Sequence, residues 1–105
     1  MQPTEYLFTY GTLQDDEIQL NLFKRKLKGD KETLEGFLLF QNKVYGRYPT
    51  VHKTNDSMDM VEGMVYKITS LELKKVDVYE GDGYERHKVV LASGKTAWAY
   101  MERLD

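Results

Sequence analysis

The side chain of Glu80 is the strongest candidate for proton transfer in this 105-residue chain. The segment from Ser70 to Glu80 predicts a helix in which Leu73, Val76 and Glu80 fall at positions i, i+3 and i+7 of one face. Glu80 should therefore point inward or toward a pocket, and it lies in the last turn, where the helix dipole disfavours a negative charge. Both effects raise a carboxyl pKa, as a proton acceptor and donor near neutral pH requires. Periodicity alone leaves a second interpretation open, a solvated glutamate beyond a helix end that falls a residue or two earlier.

The segment Tyr10-Gly11-Thr12-Leu13 is a second candidate site because it joins a predicted strand at 6–10 to a predicted helix at 15–28. Backbone N–H groups at such a junction lack partners, and a glycine lets a ligand approach the main chain. The turn could therefore hold a small anion or a polarised carbonyl oxygen. A tight strand-to-helix turn without a ligand explains the spacing at least as well. Asp15 and Asp16 also argue against a strongly anionic ligand.

Other catalytic and metal-binding patterns find no support in the sequence. His52 and His87 are far apart and neither stands in a metal-ligand spacing, so no metal site is indicated. The chain has no cysteine, and its serines stand outside a Gly-x-Ser-x-Gly elbow. Gly81-Asp82-Gly83 follows a helix and precedes a strand, the reverse of a phosphate-binding loop. We therefore expect chemistry that uses oxygen or imidazole groups and no cofactor.

The length and composition predict a single globular domain over residues 1–105. Hydrophobic residues make up 41% of the chain, which is too apolar a composition for a disordered protein. A formal charge of -2 provides no general attraction to nucleic acid or anionic lipid. No signal peptide or membrane-length apolar run is present, so we expect a cytoplasmic protein that binds neither nucleic acid nor membrane. The oligomeric state is not specified by any of these features.

The elements that must position the two candidate sites predict an α+β fold. Strands are expected at 6–10, 34–40 and 60–68, and a hairpin is expected at 84–91 and 96–104 around a turn at 92–95. A capping box over residues 69–72 marks the start of the second helix. Residues 41–59 are turn-rich and predict a loop, with a short strand at 43–45. The pattern favours a small, mostly antiparallel sheet or barrel with two helices packed on it.

Four motifs, in order, resemble the gamma-glutamylcyclotransferase-like (AIG2-like) family, which includes gamma-glutamylamine cyclotransferases. They are YLFTYGTL at 6–13, VEGMVY at 61–66, VDVYEG at 76–81 with Tyr84 and Arg86 after it, and AWAY at 97–100. Together they cover nearly the whole chain. Each piece alone is common, but the combination of Tyr-Gly-Thr-Leu with a later Asp-x-x-Glu-Gly and Tyr-x-Arg is specific.

The resemblance implies an α+β fold in which a small mixed, mostly antiparallel β-barrel carries flanking helices. It also implies an enzyme that cyclises a gamma-glutamyl group, or epsilon-linked gamma-glutamyl-lysine, to 5-oxoproline with release of the amine. Glu80 would then be the catalytic acid and base, and the backbone of Tyr10, Gly11, Thr12 and Leu13 would bind this small-molecule substrate. The substrate's own alpha-amine is the nucleophile in such a reaction, which requires no serine, cysteine or metal.

The chain departs from the family where members often carry a basic residue after the Tyr-Gly-Thr-Leu segment. Gln14-Asp15-Asp16 stands there instead, which leaves open how negative groups of a substrate are neutralised. The pair Tyr48-Pro49 resembles a tyrosine–proline pair seen in the family, and we expect it to lie near the pocket. Pocket, core and surface roles all remain open for Tyr84, Arg86 and Tyr100.

Two other functions are compatible with the sequence. A non-catalytic module of the same fold could use the pocket at Gly11 to bind a small metabolite or a peptide end, because a fold does not imply an activity. An aromatic-rich small barrel that stacks single-stranded nucleic acid would explain the eight tyrosines but not the net charge.

Overall fold

Seven strands and two α-helices form the fold in the computed structural model, which describes residues 4–104. A short 3-10 helix at Thr12–Gln14 precedes the first α-helix. The chain thus has the α+β class that the sequence predicts. Its strands are β1 (Thr4–Thr9), β2 (Gly29–Glu35), β3 (Phe37–Val44), β4 (Tyr48–Lys53), β5 (Met60–Thr69), β6 (Tyr84–Val90) and β7 (Thr96–Glu102), and its helices are α1 (Asp16–Phe23) and α2 (Ser70–Glu80).

β1 lies at the centre of a five-stranded sheet with the strand order β2-β5-β1-β7-β6. β5 pairs antiparallel with both β1 and β2, and β6 pairs antiparallel with β7. The pairing of β1 with β7 is parallel. β3 and β4 form a separate antiparallel hairpin. The mostly antiparallel arrangement agrees with the prediction from the sequence.

The sheet is open, so the expected β-barrel is wrong. β2 and β6 lie at opposite edges of the sheet. A backbone hydrogen bond from Ala92, just after β6, reaches the carbonyl of Thr33 in β2 at 2.8 Å, without a paired ladder between the two strands. A barrel closes only when its first and last strands pair in a consistent register. Apolar alternation indicates which side of a strand is buried, and it does not specify that pairing.

Both faces of the central sheet are buried, as two neighbouring residues of β1 demonstrate. Leu7 belongs to an apolar cluster with Leu73 and Val76 of α2, and Phe8 belongs to a cluster with Val51 of β4. Leu7 and Phe8 each leave only 1% of their surface exposed. Successive residues of a strand point to opposite faces, so β1 lies between the helices on one side and the β3–β4 hairpin on the other.

α1 ends at Phe23 and is therefore shorter than the helix that the sequence predicts at 15–28. Lys24 takes a left-handed conformation with φ 61° and donates its backbone N–H to Leu20 O. The buried side chain of Gln19 accepts a hydrogen bond from the N–H of Leu27 at 2.9 Å, a tertiary contact that the charge pattern could not indicate.

Within residues 4–104, neither helix is long and apolar enough to cross a membrane.

Two strand predictions near the hairpin are also wrong. The single strand predicted at 34–40 is divided by Gly36, whose positive φ of 83° redirects the chain from β2 to β3. The loop predicted at 41–59 contains β4, and the short strand predicted at 43–45 is the end of β3 and the turn after it. β4 contains Pro49 and several polar residues, so its pairing with β3 rather than its composition makes it a strand. The predictions of β5, α2 and the β6–β7 hairpin are confirmed.

The first turn of α2 is fixed by the predicted capping box. Thr69 Oγ1 accepts the N–H of Glu72 at 3.1 Å, and Glu72 Oε1 accepts the N–H of Thr69 at 2.9 Å. The guanidinium of Arg25 binds the same carboxylate and holds the pKa of Glu72 below its usual value. At the other end, Gly81 with a φ of 79° terminates α2 directly after Glu80. The cap and the terminating glycine together fix where Glu80 lies.

The cap can be tested with Thr69→Ala, which removes the hydroxyl oxygen that accepts the N–H of Glu72. This variant should lose about 1 kcal/mol of unfolding free energy, the usual contribution of an N-cap side chain. Thr69→Ser keeps the acceptor and should stay close to the native protein. Urea denaturation followed by circular dichroism measures both variants. Equal stability of the alanine variant and the native protein would show that the cap does not help to position α2.

Candidate active site

A cavity of about 540 Å³ opens where β1 passes into the 3-10 helix. The end of α2, the turn between β3 and β4, and the start of β6 complete its walls. Its volume suits a small molecule, since ligand sites commonly enclose about 300–1,000 Å³. The residues that line it are Leu7, Phe8, Thr9, Tyr10, Gly11, Thr12, Leu13, Tyr45, Arg47, Tyr48, Pro49, Tyr79, Glu80, Tyr84 and Tyr100.

Glu80 reaches this cavity from the last residue of α2. Its side chain is largely buried, and burial raises the pKa of the carboxyl group from 4.5 to about 7. Among residues 4–104, no basic side chain forms an ion pair with Glu80. Near neutral pH the carboxyl group is therefore present in both protonation states. It can accept a proton as the carboxylate and donate one as the acid.

Two tyrosines that line the cavity with Glu80, Tyr10 and Tyr84, are neutral phenols. Tyr10 OH donates to the carbonyl of Tyr100, and Tyr84 OH donates to the carbonyl of Pro49, each at 2.5 Å. Burial raises the pKa of Tyr84 to about 12 and also raises the pKa of Tyr10. Because the phenolic proton of Tyr84 is directed at the carbonyl of Pro49, the lone pairs on its oxygen remain available to accept a hydrogen bond from a ligand.

The turn at Tyr10-Gly11-Thr12-Leu13 borders the same cavity. The chain enters the 3-10 helix through Gly11, and Gln14 N donates back to Gly11 O at 3.2 Å. The N–H groups of Thr12 and Leu13 have no acceptor within the described part of the chain, as expected for the first positions of a helix. Thr12 Oγ1 lies 2.6 Å from Tyr79 OH, which connects this turn to the end of α2. The structure thus brings both candidate sites to one cavity.

The acidic residues that follow the turn do not line the cavity. Asp15 Oδ1 accepts the N–H of Glu17 at 2.8 Å and so caps α1. Asp16 Oδ2 lies 3.7 Å from Nζ of Lys26, three residues beyond the end of α1. Their charges are engaged by α1 and its flanking turn. They therefore do not prevent a polar or anionic group from binding beside Gly11.

Tyr45, Arg47 and Tyr79 line the cavity although the sequence reasoning did not single them out. Tyr45 and Arg47 lie in the turn between β3 and β4, within a segment that the sequence predicts as a loop with a short strand at 43–45. No periodicity marks such residues, because they reach the cavity through a tertiary contact. Tyr79 stands beside Glu80 in the Asp-x-x-Glu-Gly motif. Its position next to Glu80 was the feature of the sequence that could have identified it as a cavity residue.

Arg86 does not line the cavity, whereas Tyr84 and Tyr100 do. The Nη1 atom of Arg86 is buried without a hydrogen bond and lies 3.5 Å from Asp77 Oδ2. Its guanidinium also covers the ring of Trp98, with 4.7 Å between the two centres. Arg86 therefore packs behind α2 rather than in the pocket.

The two histidines lie together at a second, smaller cavity of about 370 Å³. His52 Nε2 lies 3.2 Å from Glu102 Oε1, and His87 Nε2 lies 3.2 Å from Glu85 Oε1. Each imidazole thus has one carboxylate neighbour. In the part of the chain that the structure describes, no group of three or more histidine, aspartate or glutamate side chains is arranged to hold a metal ion.

The sequence matches a protein-family model described as "Gamma-glutamyl cyclotransferase, AIG2-like" over residues 7–104. It is also 34% identical, over 105 residues, to a protein of Methanocaldococcus jannaschii named "Putative gamma-glutamylcyclotransferase MJ1514". That match covers 92% of this chain and 83% of the relative.

Solved structures with the same fold include a protein of Arabidopsis thaliana determined in solution. The TM-score is 0.83 at 23% identity, and the match covers 97% of this chain and 64% of that one. A protein named gamma-glutamyl cyclotransferase gives a TM-score of 0.75 at 20% identity, with 96% and 68% covered. At these identities the two structures support the fold alone. The chain spans about two thirds of the length of each.

The raised pKa of Glu80 predicts a stability difference that depends on pH. Burial favours the protonated form, so the stability associated with Glu80 is fully present below pH 4.5 and is lost as the pH rises through about 7. Glu80→Gln carries no such charge. The unfolding free energy of Glu80→Gln minus that of the native protein should therefore become more positive by about 2–3 kcal/mol between about pH 5 and about pH 8.5.

Urea denaturation of both proteins at the two pH values measures this change. Asp82→Asn is the matched control, because Asp82 is an exposed carboxylate two residues away that does not line the cavity. The control should differ from the native protein by the same amount at both pH values. A difference for Glu80→Gln that does not change with pH would contradict the raised pKa.

Proposed function

Because the chain belongs to the gamma-glutamyl cyclotransferase, AIG2-like, family, we propose that it is an enzyme that cyclises a gamma-glutamyl amine or peptide to 5-oxoproline. The other product is the released amine. The observation that most supports this activity is the placement of Glu80. A buried carboxyl group with a pKa of about 7 shares a small-molecule cavity with the turn at Tyr10-Gly11-Thr12-Leu13.

The proposed reaction is an intramolecular acyl transfer. The alpha-amine nitrogen of the glutamyl group attacks its own gamma-carbonyl carbon, and the new carbon–nitrogen bond closes the five-membered ring. The bond from that carbon to the departing nitrogen then breaks. One proton moves from the attacking nitrogen to the leaving nitrogen, so that neither water nor an oxidant is consumed. Since both reacting groups belong to one molecule, the enzyme has only to hold the folded conformation.

In this mechanism Glu80 moves the proton. As the carboxylate it accepts a proton from the attacking nitrogen, and as the acid it returns that proton to the departing nitrogen. A carboxyl group with an ordinary pKa of 4.5 would be a weak acid–base catalyst at neutral pH, because it would stay ionised. Burial without a neighbouring cation brings the pKa close to the working range. This is why we assign the role to Glu80 rather than to an exposed carboxylate.

The turn that contains Gly11 would bind the polar end of the substrate. The N–H groups of Thr12 and Leu13 can donate to a carboxylate or to the oxyanion that develops on the gamma-carbonyl oxygen. Tyr84 can accept a hydrogen bond from the alpha-ammonium group, because its own proton is already directed at the carbonyl of Pro49. The cavity thus offers donors to one end of the glutamyl group and an acceptor to the other.

The proposed role of Glu80 is tested by the release of 5-oxoproline from gamma-glutamyl amines, gamma-glutamyl dipeptides and epsilon-linked gamma-glutamyl-lysine. Glu80→Gln should lower kcat/KM by at least about 100-fold, the contribution expected of a general acid–base residue. Asp82→Asn should remain close to the native protein, since Asp82 lies outside the cavity.

Near-full activity of Glu80→Gln would show that another group moves the proton. The native protein could instead bind some of these compounds without releasing 5-oxoproline from any of them. If Glu80→Gln then bound the same compounds with equal affinity, the protein would be a binding module.

A further inference from the structure

We propose that Arg47 forms a subsite at the cavity mouth that selects a carboxylate on the departing amine. The favoured substrate would then be a gamma-glutamyl amino acid or peptide, rather than the gamma-glutamyl derivative of a neutral or cationic amine. This inference rests on the proposed cyclisation and adds to it the chemical nature of the leaving group.

The position of Arg47 is set by the turn between β3 and β4. Tyr45 and Gly46 both have positive φ angles, of 55° and 69°. The N–H of Arg47 donates to Val44 O at 3.1 Å and closes this turn. The guanidinium carbon of Arg47 lies 5.5 Å from the centre of the Tyr48 ring, which supports the side chain from one side. The turn and the tyrosine hold the cation at the edge of the cavity.

Arg47 is the one basic residue among the residues that line this cavity. It forms no ion pair within residues 4–104. Its guanidinium therefore keeps its donors for a ligand. Glu80 is the acidic residue of the same lining, and it does not form an ion pair with Arg47 within 4.0 Å. The two groups can therefore contact different parts of a substrate.

The burial of Glu80 and the exposure of Arg47 indicate which half of the substrate each one meets. Ring closure brings the alpha-amine, the gamma-carbonyl and the departing nitrogen close together, and the proton carrier must reach both nitrogens. The glutamyl half therefore belongs at the buried end with Glu80. The rest of the departing amine extends away from the ring toward the mouth, where Arg47 is exposed.

A carboxylate is the group that best fits a guanidinium in this position. The planar fork of arginine matches the two carboxylate oxygens and can bind both at once. A neutral amine would leave Arg47 solvated, and a cationic amine would be repelled. The subsite also supplies a positive charge in a chain where Gln14-Asp15-Asp16 follows the Gly11 turn. Because Arg47 is exposed, water and salt moderate the discrimination.

Three substrates of similar size isolate the leaving group. Gamma-glutamyl-alanine carries a carboxylate, gamma-glutamyl-ethylamide is neutral, and the gamma-glutamyl amide of ethylenediamine carries an ammonium group. The native protein should cyclise the first with a kcat/KM about three- to fivefold above the second, the size of effect expected of an exposed ion pair. The third should be cyclised more slowly than the second.

Arg47→Gln should bring the three kcat/KM values together, mainly by a loss of about three- to fivefold on gamma-glutamyl-alanine. Arg47→Glu should reverse the order and favour the ammonium substrate. Lys43→Gln is the matched control, because it removes a basic residue of the same hairpin that does not line the cavity. Its preference should be that of the native protein. Circular dichroism would establish that all the variants fold.

The role of Arg47 would be overturned, with the cyclisation left standing, if the native protein showed no preference or if Arg47→Gln lost activity equally on all three substrates. A preference that Lys43→Gln abolishes as well would assign the selectivity to the general charge of the hairpin, and so would also overturn it. If the native protein released 5-oxoproline from none of the three, nor from the other gamma-glutamyl compounds, the proposed function itself would fail, and the subsite with it.

Discussion

Burial of one carboxyl group at a helix end, without a cation beside it, is the constraint on which the candidate site depends. Glu80 is the last residue of α2, where the helix dipole already disfavours negative charge. Burial raises its pKa to about 7, and none of the described basic residues forms an ion pair with it. Such a group destabilises the folded protein once it ionises. Retaining it is consistent with a functional role, because local rules are most often broken at functional sites.

The rest of the fold holds that carboxyl group against the turn at Gly11. β1 is buried on both faces, so that α2 packs on one side of it and the β3–β4 hairpin on the other. The turn at the end of β1 therefore meets the end of α2 and the turn of the hairpin in one cavity. Hydrogen bonds from the Tyr10 and Tyr84 hydroxyls to backbone carbonyls fix the remaining wall. The arrangement depends on strand order more than on any single contact.

Residues with a local signature could be predicted from the sequence. Glu80 stands out because it interrupts an apolar helix face, and the capping box and Gly81 mark the two ends of α2. Features that depend on distant parts of the chain could not be predicted. The side chain of Gln19 binds the N–H of Leu27 beyond the end of α1, and the pairing of β4 with β3 brings Arg47 to the cavity. The sheet is open because its edge strands, β2 and β6, do not pair with each other, and no local sequence pattern predicts this.

The central claim is that Glu80 transfers a proton in the cyclisation with a pKa of about 7. The most direct measurement is the pH dependence of kcat/KM for 5-oxoproline release from a gamma-glutamyl dipeptide, since this ratio reports groups that titrate in the free enzyme and free substrate. The carboxylate is the form that accepts the first proton, so kcat/KM should rise with pH and bend near pH 7. A profile without a bend between about pH 5 and about pH 8 would contradict the proposed role of Glu80.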